Sequence, residues 1–112
     1  MNKRTKATEI SDKVKIKIYE RDDTCIFCKI GYHMPTDNFY ELFNLDIMHY
    51  IPRSLGGLGI PENLALGCRY HHSMLDHANI DYRKEMQEIF KKYLQKQYKD
   101  WNEKELIYKK YM

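Results

Sequence analysis

An α+β fold built around a metal site is what this chain predicts, and three observations predict it. Residues 39–51 are dense in aromatic and β-branched side chains, which favour extended backbone. Residues 81–98 carry apolar side chains at helical spacing. Between and around these lie two Cys/His pairs, each with a two-residue spacer.

The elements follow in chain order. Residues 1–9 read as a mobile basic tail. Ser11 suits the cap of a helix running to about Arg21, whereas Val14, Ile16 and Ile18 alternate with lysines at a strand period, so the pattern leaves helix and strand open there. Residues 25–31, Cys-Ile-Phe-Cys-Lys-Ile-Gly, read as a short strand or knuckle ended by a glycine turn. Residues 32–38, with Pro35, Asp37 and Asn38, read as loop. Pro52 ends the extended segment, and residues 54–61 hold three glycines between flanking prolines, a loop of unusual backbone freedom. A short helix is expected over residues 69–77. Met86, Ile89, Phe90, Tyr93, Leu94 and Tyr98 then form one stripe, a core face or partner surface of a long helix. Asn102 followed by Glu105 has the form of a capping box opening a last helix with Leu106 and Ile107.

Size and composition bound the function classes. With 112 residues and 13.6 kDa, one domain is expected, divided as a basic tail (1–9), a core (10–80) and a C-terminal helical extension (81–112). Area scaling gives a folded surface of roughly 6,600 Å² against about 20,000 Å² unfolded, enough for a single small core. At 43% hydrophobic and 31% charged residues, a collagen-like or low-complexity chain is excluded. No apolar run reaches the ~18 to 20 residues of a membrane span, and the first six residues lack the apolar stretch of a signal peptide. No membrane partner is expected. Three cysteines cannot pair evenly, which fits a reducing, cytoplasmic compartment with thiolates used for metal or chemistry.

The net charge of +3 conceals a pattern. Residues 1–20 carry six Lys/Arg against three acids, residues 21–80 four against seven, and residues 81–112 nine against six. Basic flanks can follow a phosphate backbone while an acidic centre can hold cations, although solvated Lys/Glu-rich helices would give the same distribution.

Cys25-x-x-Cys28 and Cys68-x-x-His71 are separated by 39 residues. A zinc ion takes four ligands at tetrahedral corners, and a two-residue spacer lets one tight turn aim two side chains at one ion. One C-x-x-C alone also suits redox chemistry; two pairs that use all three cysteines point to structural Zn²⁺ with no open position. Of the remaining histidines, His33 reads as a surface residue, His49 ends the extended segment, and His77 closes the short helix. On a helix, His72 and Asp76 share a face and could chelate an ion with an imidazole and a carboxylate.

Three separated motifs in fixed order now bear on family. The run Asp46-Ile47-Met48-His49-Tyr50-Ile51-Pro52-Arg53-Ser54-Leu55-Gly56-Gly57, the run Pro61-Glu62-Asn63-Leu64, and Cys68-Arg69-Tyr70-His71-His72 resemble the HNH endonuclease family, in particular small phage- and prophage-encoded members. The likeness covers residues 14–77. The resemblance implies a ββα-metal core with flanking N- and C-terminal helices, and hydrolysis of DNA phosphodiester bonds to 5′-phosphate and 3′-hydroxyl ends. It implies His49 as general base, Asn63 as the residue that pins the loop orienting the base, and His72 as ligand of a catalytic Mg²⁺ or Mn²⁺. Asp76 occupies a further ligand position four residues on. Arg53, just beyond the base, is placed to contact a phosphate, the alternative being an arginine of the loop that is simply solvated.

The sequence departs from the family pattern at Met48, where many relatives carry a ligand; a thioether binds Mg²⁺ or Mn²⁺ poorly. Asp46, two residues earlier on a strand, shares a face with Met48 and could substitute for it. The other function class that these residues allow is a non-catalytic, zinc-stabilised module that binds nucleic acid or a phage packaging partner. The C-terminal stripe could serve a homodimer.

Overall fold

The structure, a computed structural model, describes residues 2–37 and 39–110. Asn38 of the expected loop and Tyr111 at the end of the expected C-terminal extension lie outside the described residues. The elements are α1 (Lys3–Thr8), α2 (Asp12–Asp22), α3 (Ile26–Lys29), β1 (Leu45–His49), β2 (Leu64–Cys68), α4 (Arg69–His77) and α5 (Ile80–Gln97), with single 3₁₀ turns between them. The strands form a two-stranded antiparallel sheet in which Asp46 opposes Gly67, Met48 opposes Ala65 and His49 opposes Leu64. Strand β2 passes directly into α4 at Cys68 and Arg69, so the chain runs strand, loop, strand, helix through the centre of the molecule. This is a small α+β architecture, as the sequence predicts.

The hairpin separates two apolar clusters. Met48 and Ala65 meet Phe27, Leu75, Met86, Phe90, Leu94 and Leu106 on one side; Leu64 and Leu66 meet Ile18 on the other, with Val14 and Ile47 at its edge. The helix-or-strand ambiguity at residues 12–21 resolves as helix. Ser11 caps it by accepting from the Val14 amide, and Ile18 is fully buried while Ile16 is 59% exposed. A strand would have put Ile16 and Ile18 on one face; a helix turns them apart.

Residues 2–9 are corrected from tail to structure, Met1 lying outside the described residues. Asn2 caps α1 by accepting from the Thr5 amide, and Thr8 is buried against the loop that follows β1. Six residues are too few for a periodic apolar pattern, and helices this short are held by tertiary contacts. The extended segment is also shorter than residues 39–51. Residues Phe39–Phe43 form a 3₁₀ turn, after which the Asn44 carbonyl accepts from the Arg69 amide at 2.8 Å, fixing the start of β1 against that of α4. Residues 25–31 form a knuckle, not a strand: Cys25 caps the one-turn helix α3 (Ile26–Lys29), and the expected glycine turn follows at Gly31, whose φ is +66°. The last expected helix is a single 3₁₀ turn, Glu103–Glu105, after which Leu106 enters the core and Ile107 bridges to Gly57.

A buried carboxylate ties these layers together. Asp22, fully buried at the end of α2, accepts from Arg21, from the Leu66 amide at 2.8 Å and from the Tyr93 hydroxyl on α5. Arg21 also donates to the Pro61 and Leu64 carbonyls. Each of these polar groups is thereby satisfied inside the fold. Among the described residues, no helix is long and apolar enough to cross a membrane.

Candidate functional site

Each Cys/His pair sits at the start of a helix. Cys25 caps α3 and its Sγ accepts from the Cys28 amide at 3.4 Å; Cys68 caps α4 and accepts from the His71 amide at 3.3 Å. The first residue of each pair is therefore a cap and the second lies in the first turn, which turns both side chains the same way.

The four ligand atoms lie within 4.8 Å of one another, and this set could hold a metal such as zinc. Cys28 Sγ is 3.8 Å from Cys68 Sγ, and His71 Nδ1 is 3.2, 3.5 and 3.6 Å from the sulfurs of Cys68, Cys28 and Cys25. Bonds of about 2.3 Å to sulfur and 2.0–2.1 Å to nitrogen place tetrahedral ligands roughly 3.5–3.8 Å apart, so the donors fit such an ion. The other ring nitrogen of His71, Nε2, donates to the Tyr32 carbonyl at 2.6 Å, which turns Nδ1 toward the sulfurs. Hydrogen bonding from Cys68, against burial, holds the Cys25 thiol well below its ordinary value; burial and the Cys25 charge push Cys28 up, and the hydrogen bond to Cys25 with burial pushes Cys68 up, so the three thiols share one negative charge.

His49 ends β1, half-buried. Its Nε2 lies 3.1 Å from the Thr8 carbonyl oxygen, which can only accept, so Nε2 carries the proton and Nδ1 keeps its lone pair. Burial holds the His49 pKa below the ordinary histidine value, the Thr8 carbonyl works against that, and the charges of Arg53 and His72 add to the lowering. Asn63 is fully buried behind the loop between the strands. Its side-chain amide donates to the Ile51 and Leu58 carbonyls at 3.1 and 2.9 Å, and its Oδ1 accepts from the Ile51 amide at 2.8 Å. The Asn63 carbonyl accepts from the Tyr50 amide, so both ends of the loop are tied next to His49.

His72, in the first turns of α4, lies between two carboxylates. Its Nδ1 is 3.0 Å from Asp46 on β1, and its Nε2 is 3.7 Å from Asp76 one turn further along α4. The spacing of 3.0 Å also matches two adjacent ligands around an octahedral ion with bonds of about 2.1 Å. Asp46 and His72 thus make a direct carboxylate–imidazole contact, while Asp76 sits on the far edge of the same ring. Arg69 approaches Asp46 at 3.6 Å, and Arg53 is exposed with its Nε 3.4 Å from the Thr8 hydroxyl. Asp46 and His72 also line a groove of about 530 Å³ together with Lys15, Tyr19 and Ile47.

Met48 is placed by packing. It is 1% exposed, and a Cβ added at Gly67 would lie 2.3 Å from its sulfur, so the thioether fills the space that this glycine leaves. A carboxylate at position 48 would be buried among apolar side chains. The acid that reaches His72 therefore comes from Asp46.

Sequence reasoning missed the Thr8 carbonyl at His49 and, in the fold behind the site, the Asp22 network, neither of which any spacing pattern signals. His33 lies apart at the surface, 3.8 Å from Glu85 and edge-on to Tyr32 and Tyr82. No protein-family model, curated protein or solved structure matches this chain.

Proposed function

We propose that the chain is a metal-dependent HNH-type endonuclease that hydrolyses DNA phosphodiester bonds, one domain built on a ββα-metal core and stabilised by structural Zn²⁺ at Cys25, Cys28, Cys68 and His71. The observation that carries this reading is that His49, with a free Nδ1, feels the charge of His72, the imidazole that Asp46 contacts from the same strand. A closed Cys₃His site leaves no open position, so the chemistry belongs to the second group.

In this reading His49 Nδ1 accepts the proton of the attacking water as its oxygen bonds to phosphorus and the P–O3′ bond breaks, and the departing O3′ takes a proton from solvent water. Burial keeps the imidazole neutral at pH 7 and so able to accept. A divalent ion, Mg²⁺ or Mn²⁺, would be held by His72 with Asp46 or Asp76 and would supply charge neutralisation for the developing phosphorane. Asn63 keeps the loop from yielding when the substrate pushes on His49. Arg53 and Arg69 stand at the rim, where guanidinium groups meet phosphate. The products carry 5′-phosphate and 3′-hydroxyl ends. The same reading makes this a phage- or prophage-type protein acting on DNA in a bacterial cytoplasm, as a monomer, a homodimer or with a packaging partner.

One observation favours a second reading, a non-catalytic zinc-stabilised module for nucleic acid or a phage partner. Among the described residues, Asp46, His72 and Asp76 do not close into a cluster as the Cys₃His atoms do. Relaxation of supercoiled plasmid by zinc-loaded protein with Mg²⁺, Mn²⁺ or EDTA separates the two. The nuclease cuts with a divalent ion and stops with EDTA; the module binds DNA and leaves it intact under every condition.

A further inference from the structure

Helix α1 and the residue after it meet the loop next to His49. The last carbonyls of a helix have no partner within it. Here two of them are used across the chain: Ala7 accepts from the Gly59 amide at 3.0 Å, and Thr8 accepts from His49 Nε2 at 3.1 Å. Arg4 reaches over the same loop and donates to the Ser54 carbonyl at 3.0 Å and the Arg53 carbonyl at 3.4 Å. The Thr8 hydroxyl accepts from Arg53 Nε at 3.4 Å. Gly59 is the seat of this contact: a Cβ there would stand 1.9 Å from the Glu9 carbonyl oxygen and 3.1 Å from that of Thr8. Both are backbone atoms, so a side chain at position 59 must push α1 away.

The zinc ligands, the hairpin and the large apolar cluster include no residue of α1. What α1 touches is the imidazole of His49 and the loop beside it. We propose that α1 is a positioning arm, whose Thr8 main-chain carbonyl fixes the ring of His49 with Nε2 protonated and Nδ1 free to face the substrate. This rests on the reading of His49 as general base. Thr8 does not meet the substrate in this arrangement; it acts through the histidine. The N-terminal helix thereby makes competence of the base depend on a segment that the core does not need.

The experiment uses the full-length zinc-loaded protein and two substitutions, Gly59→Ala and Arg4→Ala. An exposed imidazole N–H exchanges with water too fast to be seen, whereas one held on a buried carbonyl gives a persistent proton resonance coupled to ¹⁵Nε2. The wild type is expected to show this resonance for His49. Gly59→Ala is expected to lose it, keep its zinc and its core melting transition, and cut plasmid about 10 to 100 times more slowly at saturating DNA, the scale of a misplacement near 1 Å. Arg4→Ala, which puts no new atom into the contact, is expected to weaken the resonance and the rate in the same direction. The arm is overturned if the resonance survives in both variants, or if it vanishes while the saturated rate is unchanged. Should Gly59→Ala fail to fold, Arg4→Ala alone decides by the same two readouts. A wild type that shows the resonance yet cuts nothing counts against the nuclease reading; a wild type that cuts without the resonance counts against the arm.

Discussion

Asp46 Oδ2 lies 3.0 Å from His72 Nδ1, joining the middle of the first strand to the central helix. The contact gives the strand a carboxylate at the site although Met48 occupies the position where the family pattern has a ligand. Asp76 stands farther off at 3.7 Å and is more exposed. Asp46→Asn is therefore expected to weaken divalent-ion binding about 10- to 100-fold, with activity partly restored by excess Mn²⁺, and Asp76→Asn to cost less. Titration of cleavage against Mn²⁺ checks the order. A larger loss in Asp76→Asn would move the ion to the other edge of the ring.

Zinc is expected to be part of the fold. Binding free energies on the order of 10 kcal/mol for such sites rival the whole stability of about 5–15 kcal/mol for a small domain. Cys68→Ser removes a ligand that also caps α4. It is expected to lower zinc content and broaden or abolish the melting transition before any effect on DNA is measured. Metal analysis and calorimetry on the same sample test this; a variant that melts like the wild type contradicts it.

Asp22 is a stability residue remote from the proposed chemistry. It is fully buried and pairs with Arg21, whose side chain is 13% exposed. Asp22→Ala leaves that guanidinium without its carboxylate and the Leu66 amide without an acceptor, a loss of about 3–5 kcal/mol. Tyr93→Phe removes one hydrogen bond to the same carboxylate and is expected to cost about 1 kcal/mol. Denaturant titration at constant zinc content measures both.

The acid side of the pH profile follows from His49. Its folded pKa lies below the ordinary histidine value because burial disfavours the charged ring. The unfolded chain therefore takes up this proton first as the pH drops below about 6.5. Stability from this group is full above that pH and is lost as the pH falls toward the folded pKa. The neutral base persists over the same window, so cleavage should decline with a midpoint below 6.5. An NMR titration of the His49 ring and single-turnover rates across pH 5–8 should agree; a midpoint above 6.5 in both would contradict the burial argument.

The parts of this architecture legible in the sequence are those fixed by short spacing. Cys25, Cys28, Cys68 and His71 declared themselves because a two-residue spacer is the geometry of one helical turn, and the structure brings all four together. The stripe of Met86, Phe90 and Leu94 did so because α5 is long enough to repeat its period, and these three are fully buried. Val14, Ile16 and Ile18 suggested a strand only because Ile16, an exposed residue, completes the alternation. Contacts between distant segments left no trace in pattern. Nothing in residues 1–9 shows that Gly59 and His49 will donate to their carbonyls, and nothing around Asp22 names Leu66 or Tyr93 as partners. Asp46 was visible as a candidate, but its approach to His72 depends on the register that sets it opposite Gly67.

The central claim is that His49 is the base of a metal-dependent nuclease. Its most direct test is single-turnover cleavage of supercoiled plasmid with Mg²⁺ or Mn²⁺ by wild type and His49→Ala, matched for zinc content and melting temperature. The account predicts cutting by the wild type and a loss of about 10² to 10⁴ in the variant, the share that a positioned base supplies. Equal cutting by the two proteins would contradict it.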